Sequence, residues 1–145
     1  MPEIAGMKKL VQRACDLCGL LDNNQNFRIA INFVDIDTIS KLNRQYVRHE
    51  GPTDVISFNY GKSCENDIDA ELFICTDVAD EASRRLNRNF SDEVALYVIH
   101  GILHVSGEED ETPVQKRRMR RLEAELISDI CRKFNFRKIF PERHG

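Results

Sequence analysis

The chain has 145 residues, of which 41% are hydrophobic and 31% charged, and its formal net charge is −3. That length suits one domain able to bury a core without disulfides. The composition is too apolar for a disordered polymer and too charged for a membrane one, and the acidic balance excludes a globally basic nucleic-acid binder while allowing a basic face.

Residues 3–21 read as an amphipathic helix with Ile4, Met7, Val11, Cys15, Cys18 and Leu21 on one stripe, ended by the polar run Asp22–Asn26. The segment Met1–Gly19 has no signal-peptide apolar stretch, and no run in the chain approaches the roughly 18 apolar residues of a membrane span. A soluble, cytoplasmic protein is expected. Cys15 and Cys18 form a C-x-x-C. With Cys64, Cys75 and Cys131 the cysteines number five, an odd, scattered set that fits a reducing compartment. Core packing of the pair is favoured over a redox or metal role.

Arg28–Val34 alternates Ile29, Ile31 and Phe33 with Arg28, Ala30 and Asn32, a strand pattern. Asp35 or Asp37 can cap a helix carrying Ile39, Leu42 and Tyr46, and Gly51-Pro52 breaks the chain. Two β-rich runs follow, Asp54–Tyr60 and Glu71–Cys75, joined as a hairpin or by an edge-strand return. Thr76 or Asp77 caps a helix reaching about Leu86. Ser91-Asp92-Glu93 opens another, apolar nearly all round and therefore central, which stops at Gly107. Thr112-Pro113-Val114-Gln115 starts a long amphipathic helix through Met119, Leu122, Leu126 and Ile130. Phe134–Gly145 is basic and without pattern, and residues 135–145 are expected to fray. The fold class is α+β: one domain over 1–145, with a small mixed sheet of three to four strands covered by helices.

The central helix carries His100 and His104. Residues four apart on a helix differ by about 40° around the axis and about 6 Å along it, so both imidazoles can reach one metal ion. Gly101 leaves room for another segment to approach, and Glu108, Glu109 or Asp110 can swing back from the following turn as a third ligand. Two His and one carboxylate leave a tetrahedral Zn²⁺ an open position, the mark of a catalytic site. A zincin metalloprotease carries its Glu base right after the first His. Gly101 occupies that position here, which weighs against peptidase activity.

The run His100-Gly101-Ile102-Leu103-His104-Val105-Ser106-Gly107-Glu108-Glu109-Asp110 resembles the H-G-x-L-H-L-x-G-Y-D-H signature of the YbeY family, bacterial metal-dependent endoribonucleases of rRNA maturation. Leu42-Asn43-Arg44-Gln45-Tyr46 resembles its L-N-x-x-Y-R, and Pro52-Thr53-Asp54-Val55-Ile56-Ser57-Phe58 its P-T-D-V-L-S-F. Met119, Leu122 and Glu123 resemble its M-x-x-L-E. The departures are Asp110 for the third His, Glu108 for the Tyr, Val47 for the Arg with Arg48 one place on, and Ala70-Glu71-Leu72 for G-D-I.

The resemblance implies a zincin-like metal-binding helix and one Zn²⁺ held by His100, His104 and Asp110. It implies a single-strand-specific endoribonuclease acting on rRNA precursors, at the 16S 3′ end, in ribosome biogenesis and quality control. Arg48 would meet the growing phosphoryl charge and Ser57 would donate to the substrate. Glu71, Glu108 or Glu109 could act as general base and the sequence does not choose among them; Glu109 is carried as the catalytic candidate. The run Lys116, Arg117, Arg118, Arg120 and Arg121 would hold RNA phosphates, although it also reads as a solvated helix face. No base-reading module is recognisable, so specificity would come from a ribosomal subunit or its proteins. The oligomeric state is left open. The rival readings are a metal-dependent hydrolase of a peptide or small molecule and a non-catalytic, zinc-stabilised ribosome-assembly factor.

Overall fold

The computed structural model describes residues 2–20, 27–61 and 67–142. The polar run 22–26, Leu21 and Cys64 therefore lie outside the described residues, as do 143–145. In chain order the elements are α1 (Ile4–Leu17), β1 (Ile29–Val34), α2 (Ile36–Leu42) continued by a π-helical turn (Asn43–Val47), β2 (Val55–Asn59), β3 (Ala70–Cys75), α3 (Thr76–Leu86), α4 (Phe90–Val105), α5 (Pro113–Ile130) and α6 (Phe136–Ile139).

The three strands form one mixed sheet in the order β1-β3-β2. β1 runs parallel to β3, pairing Ile29 with Ala70 through Val34 with Cys75. β2 runs antiparallel to β3, pairing Val55 with Ile74 through Asn59 with Ala70, so the two β-rich runs are hairpin partners. Side chains alternate across a strand. Ala70, Leu72 and Ile74 therefore enter the main core with α1, α4, α5 and α6. Cys75 joins Ile39 and Ile56 on the opposite face, where Phe58 and Phe73 pack against them. Asp69 fixes the start of the parallel pair: its buried carboxylate accepts from the Arg28 amide at 2.7 Å.

Helix α4 is the centre of this arrangement, as its all-round apolar sequence predicts, with twelve of its sixteen residues buried. The Asp35 carboxylate caps α2 by accepting from the Thr38 amide at 2.8 Å. Thr112 and Gln115 form the full capping box of α5. Neither Thr76 nor Asp77 caps α3: Cys75 holds the cap position, and the Asp77 carboxylate accepts instead from the Ile36 amide at 2.8 Å, tying α3 to α2.

Two further expectations are corrected. In α1 Val11 and Cys15 are buried and Met7 and Cys18 pack on the core as the stripe predicts, but Leu10 and Ala14 widen the packed face and Ile4 is 62% exposed. Residues 135–142 do not fray, because Phe136, Ile139 and Phe140 are buried in the core and Asn135 caps the short α6. Burial pushes the Cys15 thiol up to about 12, with Cys18 adding, which suits packing rather than reactivity. Among the described residues no helix is long and apolar enough to cross a membrane.

Candidate metal centre

His100 and His104 sit near the C-terminal end of α4, half-buried. Position 101 lets this helix lie close to the sheet. A Cβ there would stand 2.9 Å from both Leu72 methyl carbons and 3.2 Å from Val55 Cγ2, so β3 and β2 supply the approaching segment that the sequence anticipates. The Asn59 side-chain amide donates to the Val105 carbonyl at 3.0 Å. That bond satisfies a carbonyl the helix end leaves unpaired and pins the histidine-bearing turn to the edge strand.

The chain leaves α4 through a Schellman turn. The Glu108 amide donates to the Leu103 carbonyl at 3.0 Å and the Gly107 amide to the His104 carbonyl at 3.1 Å. Gly107 has φ +108°, a conformation that strains any residue with a Cβ. The turn sends residues 108–110 back along the helix and delivers Asp110 to the two imidazoles.

One donor atom each from His100, His104 and Asp110 lie within 4.8 Å of one another. His100 Nε2 is 3.0 Å from His104 Nε2, and Asp110 Oδ2 is 3.5 Å from the first and 3.4 Å from the second. His100 Nδ1 stands 2.6 Å from Glu123 Oε2 on α5. A carboxylate only accepts, so Nδ1 carries the proton, and in the neutral ring Nε2 keeps its lone pair for the cleft. Burial of His100 opposes its charged form. The hydrogen bond to Glu123 and the charges of Glu123, Asp54 and Asp110 outweigh burial, and its pKa is raised. The same negative field favours a cation. Two imidazole nitrogens and a carboxylate oxygen fit a divalent metal ion, and among the described residues no fourth His, Cys, Asp or Glu joins the set.

A cleft of about 470 Å³ lies over these donors, lined also by Asn43, His49, Asp54 and Ser57. Arg48 and Glu109 are exposed and do not line the cleft, although Val47 and His49 on either side of Arg48 do. Arg48 has φ 65° at the end of the π-helical turn. Glu108 is gripped by Arg118 through two bonds of 2.8 and 2.9 Å, which holds its carboxyl below the usual range. Glu71 alternates with Leu72 and so faces away from α4. It accepts from Asn32 at 3.0 Å and from the Tyr60 hydroxyl at 2.9 Å.

Sequence reasoning missed Glu123 as the group that orients His100. Its signal was an acidic residue four places from buried Met119, on the apolar side of α5. Asn43 was missed as well: its buried side chain donates to the Gly51 carbonyl at 2.9 Å and closes the loop that walls the cleft.

A family model described as Endoribonuclease YbeY matches residues 3–131 of the chain. The chain belongs to the YbeY family. Endoribonuclease YbeY of Chlorobium luteolum is 38% identical over 92 residues, covering 63% of this chain and 66% of that protein. The Christiangramia forsetii relative of the same name is 34% identical over 100 residues, covering 69% and 68%. That of Corynebacterium efficiens is 30% identical over 122 residues, covering 77% of this chain and 61% of its own length. The match thus spans a little under two thirds of the Chlorobium and Corynebacterium relatives. The solution structure of TM1509 from Thermotoga maritima aligns over 95% of this chain and 91% of its own, with a TM-score of 0.55 and 22% identity, a likeness of fold. The matched span, 3–131, contains His100, His104 and Asp110.

Proposed function

We propose that the chain is a zinc-dependent endoribonuclease that cleaves phosphodiesters of single-stranded RNA during rRNA maturation, at the 3′ end of 16S rRNA. The observation that carries this reading is the convergence of two imidazole nitrogens and one carboxylate oxygen in an open cleft, in a chain of the YbeY family. His100, His104 and Asp110 would hold the metal ion. Bound there, it would supply Lewis acidity towards a phosphoryl oxygen and acidify nearby water.

The remaining work belongs to the chain's own residues. Glu123 holds the His100 ring in one orientation and one tautomer. Ser57, inside the cleft, donates its hydroxyl to a phosphoryl oxygen. Arg48 extends from between two cleft-lining residues to a substrate phosphate, where charge accumulates as the bond to the leaving oxygen breaks. Lys116, Arg117 and Arg120 are exposed on the first turns of α5, just after the bend that carries Asp110. Cations there oppose the helix dipole, so local helix stability does not account for them. Contact with RNA phosphates does, and it predicts strongly salt-dependent binding. Recognition of the cleavage site by a ribosomal subunit or its proteins, in the cytoplasm, completes the reading.

The test compares purified wild-type protein with the His100→Ala/His104→Ala double variant on short single-stranded RNAs, with bound metal quantified in parallel. The expected result is cleavage by the wild type alone, with metal lost from the variant. Equal cleavage by both would overturn the assignment of the site. Neutralising Lys116, Arg117 and Arg120 together should weaken RNA cleavage and leave metal content intact. A small-molecule hydrolase would show no loss on that variant.

A further inference from the structure

Two carboxylates in the cleft, Glu50 and Asp54, have no role so far, and of these Asp54 is the one held in place. Asp54 stands at the entry to β2 and lines the cleft with His100, His104 and Asp110. Its Oδ1 accepts from the Val55 amide at 2.8 Å and the Thr53 hydroxyl at 3.3 Å. Its carbonyl accepts from the Cys75 amide at 2.9 Å, which seats the residue against β3. One carboxylate oxygen is thus fixed, and Oδ2 receives no hydrogen bond from the described residues. The carboxylate lies outside the set of donors that gather within 4.8 Å of one another. It is nonetheless near enough for its charge to act on His100. The cleft of about 470 Å³ that Asp54 shares with the three donors is the space in which a substrate group would stand beside them.

The other carboxylates are engaged or turned away. Asp110 belongs to the donor set, and Glu123 is bound behind His100. Glu108 is clamped by Arg118, and Glu71 is held on the far face of the sheet. Glu109 is exposed outside the cleft lining. Glu50 lines the cleft but is exposed, and no described hydrogen bond fixes its side chain.

We propose that Asp54 is the general base of the phosphodiester cleavage, taking the proton of the hydroxyl group that attacks phosphorus. The proposal rests on the nuclease reading of the cleft. In the step, the O–H bond of the attacking group breaks and its proton passes to Asp54 Oδ2, while its oxygen bonds to phosphorus. The bond from phosphorus to the leaving ribose oxygen breaks, its electron pair stays on that oxygen, and solvent protonates it. Asp54 then releases its own proton to solvent. A fixed Oδ1 and an open Oδ2 suit this work, because the base must be in place before the hydroxyl arrives.

The experiment uses the full chain loaded with Zn²⁺. Asp54→Asn keeps an oxygen for the Val55 amide and removes the basic site. Bound metal, affinity for a short single-stranded RNA and single-turnover cleavage are measured for the wild type, Asp54→Asn, Glu50→Gln and Glu109→Gln. Asp54→Asn should retain metal and RNA affinity while its cleavage rate falls about 10²–10⁴-fold, the usual worth of a positioned base. Glu50→Gln and Glu109→Gln, the rival carboxylates, should lower the rate far less than Asp54→Asn does. A second variant, Asp54→Ala, should regain cleavage with added formate or acetate, a rescue that no purely structural role predicts. Loss of metal in Asp54→Asn would make Asp54 a ligand and overturn the proposal, as would an undiminished rate. An equal fall in Glu50→Gln or Glu109→Gln, or absence of rescue in Asp54→Ala, would also overturn it. Cleavage by wild type and Asp54→Asn alike refutes the proposal alone, whereas metal-loaded wild type that binds RNA and leaves it intact refutes the nuclease reading as well.

Discussion

Two segments bring side chains to the imidazoles of α4, and they are built differently. The bend at residues 107–110 is short and closed by two backbone hydrogen bonds onto the helix it leaves. Glu108 is also clamped to Arg118 on α5. The loop at residues 43–54 is longer. It starts in a π-helical turn, passes through the left-handed Arg48 and is held at its waist by the bond from Asn43 to Gly51. The bend ends the helix in a fixed capping motif, so it returns its carboxylates towards the imidazoles, although counting alone does not choose among them. The loop has no period, so Arg48 and Asp54 take places that no spacing rule foretells. The bend suits a role in fixing metal donors, and the loop suits a role in meeting substrate.

Substitutions can break or sharpen this division. The largest effect is expected at the bend: Asp110→Ala should weaken metal binding by about 100-fold or more, since it removes a direct donor, while Glu109→Ala should leave binding unchanged. Isothermal titration with Zn²⁺ decides the ranking, and the reverse order would move the third ligand to Glu109. Next comes Glu123→Gln, which keeps a hydrogen-bonding group beside His100 and loses its charge. Metal affinity should fall about 10- to 100-fold, by the same titration.

On the loop, Asn43→Ala removes a buried side chain and leaves the part-buried Gly51 carbonyl without its donor. It should cost about 1–3 kcal/mol of stability in urea unfolding while leaving the metal affinity of the folded protein unchanged. A variant that unloads the metal would erase the contrast between the segments. The smallest effect concerns the clamp on the bend. Arg118 lowers the pKa of Glu108, so its stabilisation is complete above the unfolded pKa and is lost as pH falls through the lower folded one. Arg118→Ala should therefore be destabilised at neutral pH and should match the wild type in acid, as measured by thermal unfolding across that range.

Much of the donor set was legible because its information is local. The pair His100/His104 follows from helical period and the start of α5 from its capping box, while the stop at Gly107 offered Glu108, Glu109 or Asp110 alike and the family resemblance singled out Asp110. Gly101 pointed to a close approach before the approaching residues were known. What stayed hidden depends on how distant elements cross. Glu123 meets His100 only because α5 packs on α4 at that height, 23 positions away. The short α6 hid for a related reason: Arg137 and Lys138 dilute its pattern, and its order comes from the core pocket that takes Phe136, Ile139 and Phe140. Asp54 was visible within a motif, but the direction of its free oxygen comes from the bonds to Val55 and Thr53.

The turn at Gly107 carries a consequence for chemical synthesis. Beyond its chain neighbours and the helix backbone, no described atom lies within 4 Å of the place where an L side chain would stand, so the bar to an L residue there is handedness and not room. Positive φ is the natural range of a mirror-image residue. A D-alanine installed by ligation should seat where L-alanine strains the bend, and by removing the freedom of glycine from the unfolded chain it should make the folded protein harder to melt.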